Sequence, residues 1–502
     1  MIDRRIEFLS LLGLVVVVAM VCLRTASVRP LWYDERFTQY LSRYEHLEQL
    51  ATNLSLGADL NPPVSYILVR QAVNWFGESA ITLRLPSLLG GLVAMFGTFY
   101  FVRFRRGSAE AFLAAALMAA SEHVTQYFTE ARPYGLMLGW TALVLLFWQR
   151  AASTNRSNLL PGFLMAASAT AGMATHYYFA VPLVAIGLAE IVRTFELRRI
   201  NSIVLSGFLA PVAVLALMRP LWQGPQNAYA AGFWAKFKPS LLEIANVYSC
   251  FSDSLLLTAF VFALLVTVFF SPSSRTEASR RGYSFAELAA IVSLALVPVI
   301  AFGLSAVITK VYVPRYCISF VVGLAAILGF VLGETAGRRP GVMMMLAVMF
   351  TGLGAFVQCR WTYEREHARR DRIAQTIAEC NTAAAGQSII IEMATPDRID
   401  FALADGSIDY RPLLLTDVQL ARVNEGQDTV DRGTQSLATF AGIPLLSFDQ
   451  AIREVTNGWP LYYLGSAQHW RAKTLADRGV DFIPVRSIGD HGLTLYRMKA
   501  RR

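Results

Sequence analysis

Apolar runs close to twenty residues long recur through the first 360 positions of this chain, and nothing else in the sequence restricts its fold so strongly. A lipid bilayer selects helices of this kind, because backbone polar groups in hydrocarbon must pair within their own segment. The first run, 8–23, follows Arg4 and Arg5. Others fall at 81–101, 109–122, 135–149, 159–174, 180–194, 202–218, 250–270, 285–307, 316–333 and 341–357. Composition agrees: 55% of the 502 residues are hydrophobic and 16% charged, against about a quarter charged in a soluble chain. The fold class is therefore an α-helical polytopic membrane protein with about eleven transmembrane helices. A weak small-residue site after 8–23, and the many runs that follow, favour an anchor over a cleaved signal peptide.

The net charge of +9 resides partly in short clusters between the runs: Arg4-Arg5, Arg103/Arg105/Arg106, Arg198-Arg199, Arg280-Arg281 and Arg338-Arg339. This is the positive-inside pattern rather than a nucleic-acid face. It sets the N-terminus in the cytoplasm and makes 24–80 the first external loop. Val64–Phe76 within that loop is too short to cross and carries Arg70, Gln71 and Asn74. Counting it would reverse every later loop, so it reads as an interfacial helix. A longer external loop, 219–246, contains Trp222, Trp234, Lys236 and Lys238.

After Trp361 the chain turns polar and mixed. Strand-like runs at Ser388–Glu392, Leu413–Leu415, Leu461–Leu464, Phe482–Val485 and Leu493–Arg497 alternate with helix-like stretches such as Ala467–Arg478. The expected organisation is a transmembrane domain, 1–360, and an external α/β domain, 361–502. The second has no Gly-rich phosphate loop. The five cysteines lack metal-type spacing; Cys359 and Cys380 are available to pair if both are external, a point the sequence alone leaves open.

On this topology the chemically suggestive residues share the outer surface: Asp34-Glu35, Glu130, Arg132 and Tyr134, His176-Tyr177, Lys310, and Arg315-Tyr316. Ionisable groups at helix ends rather than the bilayer midplane suit an enzyme whose substrate keeps a lipid tail in the leaflet. Plainer roles stand beside each. Asp34 is a favoured helix N-cap, Glu130 and Arg132 form an ordinary loop ion pair, His176-Tyr177-Tyr178 is an aromatic belt, and Arg315 is a snorkelling anchor.

Several patterns together resemble the GT-C superfamily of polyprenyl-phosphate-sugar-dependent glycosyltransferases, near bacterial relatives of protein O-mannosyltransferases and lipid A aminoarabinose transferases. They are Asp34-Glu35 after the first run, Asn61-Pro62-Pro63, Leu83-Arg84-Leu85-Pro86-Ser87, Glu130-Ala131-Arg132-Pro133-Tyr134, His176-Tyr177-Tyr178 and Pro314-Arg315-Tyr316. The resemblance covers roughly residues 1–360. It implies inverting transfer from a polyprenyl-phosphate-linked sugar to a lipid, glycan or protein acceptor of the envelope, at the periplasmic face of a bacterial inner membrane. The external α/β domain is then periplasmic.

By the same resemblance Asp34 is the base, and Arg315, Arg132 or Lys310 neutralises the departing phosphate, with Arg315 foremost. Glu35, Glu130, Tyr134, His176, Tyr177 and Tyr316 line the substrate. The aminoarabinose transferases carry a phosphate-contacting Lys where this chain has Asn61, so that cation comes from elsewhere or the donor differs. No organic cofactor is implied; some relatives use a divalent cation, for which Glu35, Glu130 and His176 are the available ligands. A lipid-linked-saccharide flippase and a membrane scaffold are the alternative classes.

Overall fold

A computed structural model describes residues 4–29, 31–153, 159–230, 239–252, 284–336, 340–384, 386–392, 411–416, 429–432, 435–440, 443–465, 470–488 and 493–501. It is mostly helical and separates into two units. One is Met1–Val28 with Asn61–Thr362; the other is Arg29–Leu60 with Tyr363–Arg502. The first helices are α1 (Arg4–Val28), α2 (Tyr33–Leu41), α3 (Leu47–Leu56), α4 (Val64–Phe76), α5 (Ala80–Arg105) and α6 (Ser108–Ala120). Then come α7 (Glu122–Phe128), α8 (Tyr134–Ala152), α9 (Leu159–Met173), α10 (Ala180–Leu197) and α11 (Ser202–Leu217).

In the first unit, Ser79 starts α5 by accepting the Thr82 N–H, and Arg103 and Arg105 sit in its last turn. Among the described residues four helices are long and apolar enough to cross a bilayer: Glu7–Val28, Ala80–Arg105, Tyr134–Ala152 and Tyr177–Leu197. The number rises to six if two pairs bent by 65° each count as one span, Ser202–Leu217 with Arg219–Gln226 and Phe285–Ala295 with Val297–Ile308. The runs 109–122 and 159–174 are helical, but α6 and α9 are only 13 and 15 residues long. The expected run 250–270 lies outside the described residues beyond Ser252, as do Trp234, Lys236 and Lys238. The short helix expected at Val64–Phe76 is present as α4.

The exterior is apolar where lipid is the solvent. Along α10, Val184, Leu188, Ile191 and Phe195 form an exposed stripe at helical spacing. Inside, α5 and α8 approach backbone to backbone. A Cβ on Gly90 would stand 2.5 Å from the Gly135 carbonyl oxygen, and one on Gly139 would stand 2.7 Å from that of Gly90. Such small-residue seams give membrane helices the close packing that hydrophobicity cannot supply in lipid. Arg84, 1% exposed, donates to the Ala26 carbonyl at 2.8 Å and ties α5 to α1.

The run 341–357 is part of one helix, Pro340–Ala384, and the boundary between units falls within it. Helical hydrogen bonding continues through the composition change at Trp361. This decides the question the sequence left open: Cys359 and Cys380 are about 31 Å apart along the helix at 1.5 Å per residue, and a disulfide needs Cα atoms within about 7 Å. Cys380 is a buried free thiol.

The second unit holds an eight-stranded mixed sheet of order β3-β4-β5-β2-β1-β6-β8-β7. Its strands are β1 (Ser388–Glu392), β2 (Arg411–Thr416), β3 (Thr429–Arg432), β4 (Gln435–Phe440), β5 (Ile443–Ser447), β6 (Leu461–Gly465), β7 (Val480–Ile488) and β8 (Leu493–Ala500). The central pairs β1–β2, β1–β6 and β2–β5 are parallel. Fully buried Ile389, Ile390 and Ile391 give β1 the unbroken apolar run of a strand covered on both faces. Helices Phe448–Thr456 and Trp470–Asp477 contribute Phe448, Ala451, Val455, Ala472 and Leu475 to its core. All five expected strand runs fall within β1, β2, β6, β7 and β8.

Candidate active site

Ser87 of α5 organises one end of the first unit. Its Oγ lies 2.9 Å from the Tyr127 carbonyl oxygen and 3.1 Å from that of Arg132, so one hydroxyl proton serves either. The same oxygen accepts the Gly135 N–H at 3.2 Å. One side chain thereby joins α5, the end of α7 and the start of α8. The connection between those helices, Glu130 to Pro133, is buried. Gln126 donates to Glu130 Oε1 at 3.0 Å. Pro133, with φ −70°, leads into α8 in a conformation its ring fixes in advance.

Aromatic rings meet on this base. Tyr134 is fully buried, with its ring centroid 5.1 Å from Tyr127, 6.1 Å from His176 and 6.2 Å from Tyr316. His176 follows α9, lies 4.6 Å from Tyr316, and accepts the Tyr178 N–H on Nδ1 at 3.0 Å. A neutral ring in that arrangement carries its proton on Nε2. Tyr178 completes the group, 5.3 Å from Tyr316, with its hydroxyl 3.0 Å from Ser305 Oγ. Ser305 opens a π-helical turn, Ser305–Thr309, a local widening that often marks functional sites.

Arg315 stands on the short turn Pro314–Cys317, its guanidinium carbon 5.9 Å from the Tyr134 centroid and 5.8 Å from that of Tyr316. Both distances are within cation–π range. Tyr134, His176, Arg315 and Tyr316, separated by up to 182 positions, thus converge, with Glu130 and Arg132 buried on the segment that enters α8. Two expected residues take other positions. Tyr177 is in the short turn before α10, outside the group of rings that meet at Tyr316. Lys310 is exposed, with a left-handed backbone (φ 56°), and its ammonium donates to the Ala306 carbonyl.

Beside Arg315 opens a pocket of about 70 Å³. Val124, Val247, Ile318 and Val321 supply apolar wall, and His123, Tyr127 and Arg315 supply polar groups. His123 and Tyr127 share a face of α7 at i, i+4 spacing. That spacing was the one sequence signal for them. Ser87 had none beyond its place in the Leu83–Ser87 pattern, because its role depends on carbonyls forty and more positions away.

In the second unit, α2 separates the two adjacent carboxylates. Glu35 is fully buried; it accepts the Trp32 N–H at 3.0 Å and approaches Arg29 at 3.9 Å. A Glu at the third helical position reaching back in this way is half of a capping box. Asp34, one residue earlier, is only partly buried. The expected N-cap role therefore falls to neither: Trp32 occupies that position, and Glu35 stabilises the turn. Among the described residues no three of His, Cys, Asp and Glu gather into a metal shell.

The family model described as dolichyl-phosphate-mannose-protein mannosyltransferase matches residues 60–222. That stretch contributes Ser87, the Glu130–Tyr134 segment and His176. ArnT from Cupriavidus metallidurans bound to undecaprenyl phosphate superposes with a TM-score of 0.59 at 12% identity, covering 96% of this chain and 97% of that one. Its apo state gives 0.59 at 14% identity, covering 99% and 98%. This chain has the fold of ArnT. No curated protein matches it in sequence. The likeness to ArnT extends over nearly the whole chain, well past the roughly 360 residues that carried the resemblance in sequence. At identities this low, backbone arrangement has been retained while most side chains have not.

Proposed function

We propose that this protein is a GT-C inverting glycosyltransferase that moves a sugar from polyprenyl phosphate to an envelope acceptor, whether lipid A or lipopolysaccharide, another glycan or a protein. It works at the periplasmic face of a bacterial inner membrane. The observation that carries this reading is Arg315, held against two tyrosine faces at an apolar pocket. A fixed cation beside an apolar wall is what a phosphate with a long hydrocarbon tail requires. That the similar ArnT was captured with undecaprenyl phosphate supports the same donor class here.

The chemistry needs one base. An acceptor hydroxyl attacks the anomeric carbon as Asp34 takes its proton, the new C–O bond forms, and the sugar–phosphate bond breaks with inversion. Polyprenyl phosphate leaves with the bonding pair. Arg315, with Arg132, neutralises the added negative charge, so the leaving group needs no proton. Glu35, committed to Trp32, holds the turn that presents Asp34. His176, Tyr134 and Tyr316 give the sugar ring its aromatic surface.

Asp34→Asn keeps shape and removes the base. Its expected effect is a loss of transfer of about 10²–10⁴-fold with undecaprenyl phosphate binding intact. Arg315→Gln reverses the pattern by weakening that binding. Asp34→Asn transferring sugar at the normal rate ends the assignment.

A further inference from the structure

From Ser87 to Arg103, α5 rises about 24 Å at 1.5 Å per residue, so Arg103 lies at the opposite end of the bundle from the tyrosine cluster. A larger cavity, about 400 Å³, lies there among α1, α5 and α8. Phe8, Leu11, Phe99 and Phe104 form its apolar wall, and Glu7, Arg103 and Arg150 are its charged groups. Two guanidiniums against one carboxylate make the lining net positive.

The charged groups are held in place by one another and by the wall. Arg103 Nε donates to Glu7 Oε1 at 2.7 Å, and Ser108 Oγ donates to Glu7 Oε2 at 2.7 Å. Arg150 lies 4.0 Å over the Phe104 ring and donates to the Tyr100 carbonyl at 3.4 Å. Phe8, Leu9 and Leu12 of α1 are exposed, so the apolar wall continues onto a lipid-facing surface. Arginine forks suit phosphate oxygens, and basic recesses between membrane helices take anionic headgroups.

We propose that this cavity binds the headgroup of an anionic phospholipid, its phosphate against Arg103 and Arg150 and its acyl chains along Phe8 and the exposed face of α1. The site is separate from the Arg315 pocket and independent of the transfer reaction. Its role is to fix this end of the bundle to a leaflet of negative charge.

Native mass spectrometry of the full-length protein tests it, with phosphatidylglycerol and phosphatidylcholine offered in equal amounts. The expected result is at least tenfold greater retention of phosphatidylglycerol. Arg103→Gln with Arg150→Gln brings the two lipids near parity while undecaprenyl phosphate binding persists. Glu7→Gln removes the opposing charge and raises the preference, an outcome no misfolded variant produces. Equal retention by the unaltered protein, a preference the double variant keeps, or no rise with Glu7→Gln each overturns the proposal. Displacement of phosphatidylglycerol by inorganic phosphate at equal concentration overturns the lipid as the source of the anion.

Discussion

Gly135 offers a sharp test of how the site is built. A Cβ there would lie 2.2 Å from the Ser87 carbonyl oxygen, 2.6 Å from Ser87 Oγ and 2.8 Å from the Ser87 carbonyl carbon. Two of these three atoms are backbone, so no rotamer relieves the clash. Ordinary contact begins near 3.4 Å, and α8 must retreat from α5 by about 1.2 Å. Overpacking of this sort costs about 1–3 kcal/mol, and losing the Gly135 N–H to Ser87 bond adds about 1 kcal/mol. Alanine's helix propensity returns about 1 kcal/mol. Gly135→Ala should thus destabilise by about 1–3 kcal/mol and displace Arg132 and Tyr134. Thermal unfolding in detergent reads the first effect as a midpoint lowered by a few degrees; undecaprenyl phosphate retention reads the second. At Gly13 and Gly303 an added methyl would meet nothing within 4 Å, so alanine at either should leave both readouts unchanged or slightly improved. If Gly135→Ala is as stable as the parent, or if Gly13→Ala is equally damaging, the tight α5–α8 seam is not what holds the site.

The paired carboxylates of α2 should respond in opposite ways. Glu35→Ala loses the Trp32 contact and lowers stability by about 1 kcal/mol, whereas Asp34→Asn leaves the unfolding midpoint alone and removes transfer. Glu287 is nearly buried, bound by Arg105 Nε at 2.9 Å through both oxygens and by Gln149 at 2.8 Å. Glu287→Ala strands that guanidinium and should cost about 3–5 kcal/mol, seen as a markedly lower unfolding temperature; Glu287→Gln should recover part of it. Burial pushes the Cys380 thiol up to about 12, with Glu379 adding to the rise and Arg486 opposing it. The folded thiol therefore stays protonated at pH 8, and iodoacetamide should modify Cys380 only after denaturation. Because the folded value is raised, the stability from keeping this thiol neutral is complete below the unfolded value and is lost as pH climbs from about 9 to the folded value of about 12.

Much of this protein's plan lies in its one-dimensional order. Runs of apolar residues dictate membrane helices because hydrocarbon leaves the backbone no other way to satisfy its hydrogen bonds, and α4, α5, α8 and α10 arise within a few residues of the expected bounds. The isoleucines of β1 mark a strand covered on both faces for a similar reason. Short-range pattern also singled out Glu130–Tyr134, His176 and Arg315-Tyr316 as notable. It missed β3 and β4, whose residues are mostly polar, and β5, whose apolar run contains Pro444, and it left open a cysteine pairing that a continuous helix excludes.

Which notable residues meet is a different kind of fact. Ser87 reaches carbonyls of Tyr127 and Arg132, Tyr134 stacks with Tyr316, and Arg315 comes within cation–π range of Tyr134, all contacts between positions forty or more residues apart. Glu35 and Asp34, indistinguishable as neighbouring carboxylates, part company only when α2 buries one against Trp32 and leaves the other partly exposed. Local sequence governs what each segment becomes, because hydrogen bonding and hydrophobic period act over a few residues. Burial and partnership are properties of the packed chain, and those alone separated the acid that holds a turn from its neighbour, the acid proposed as the base.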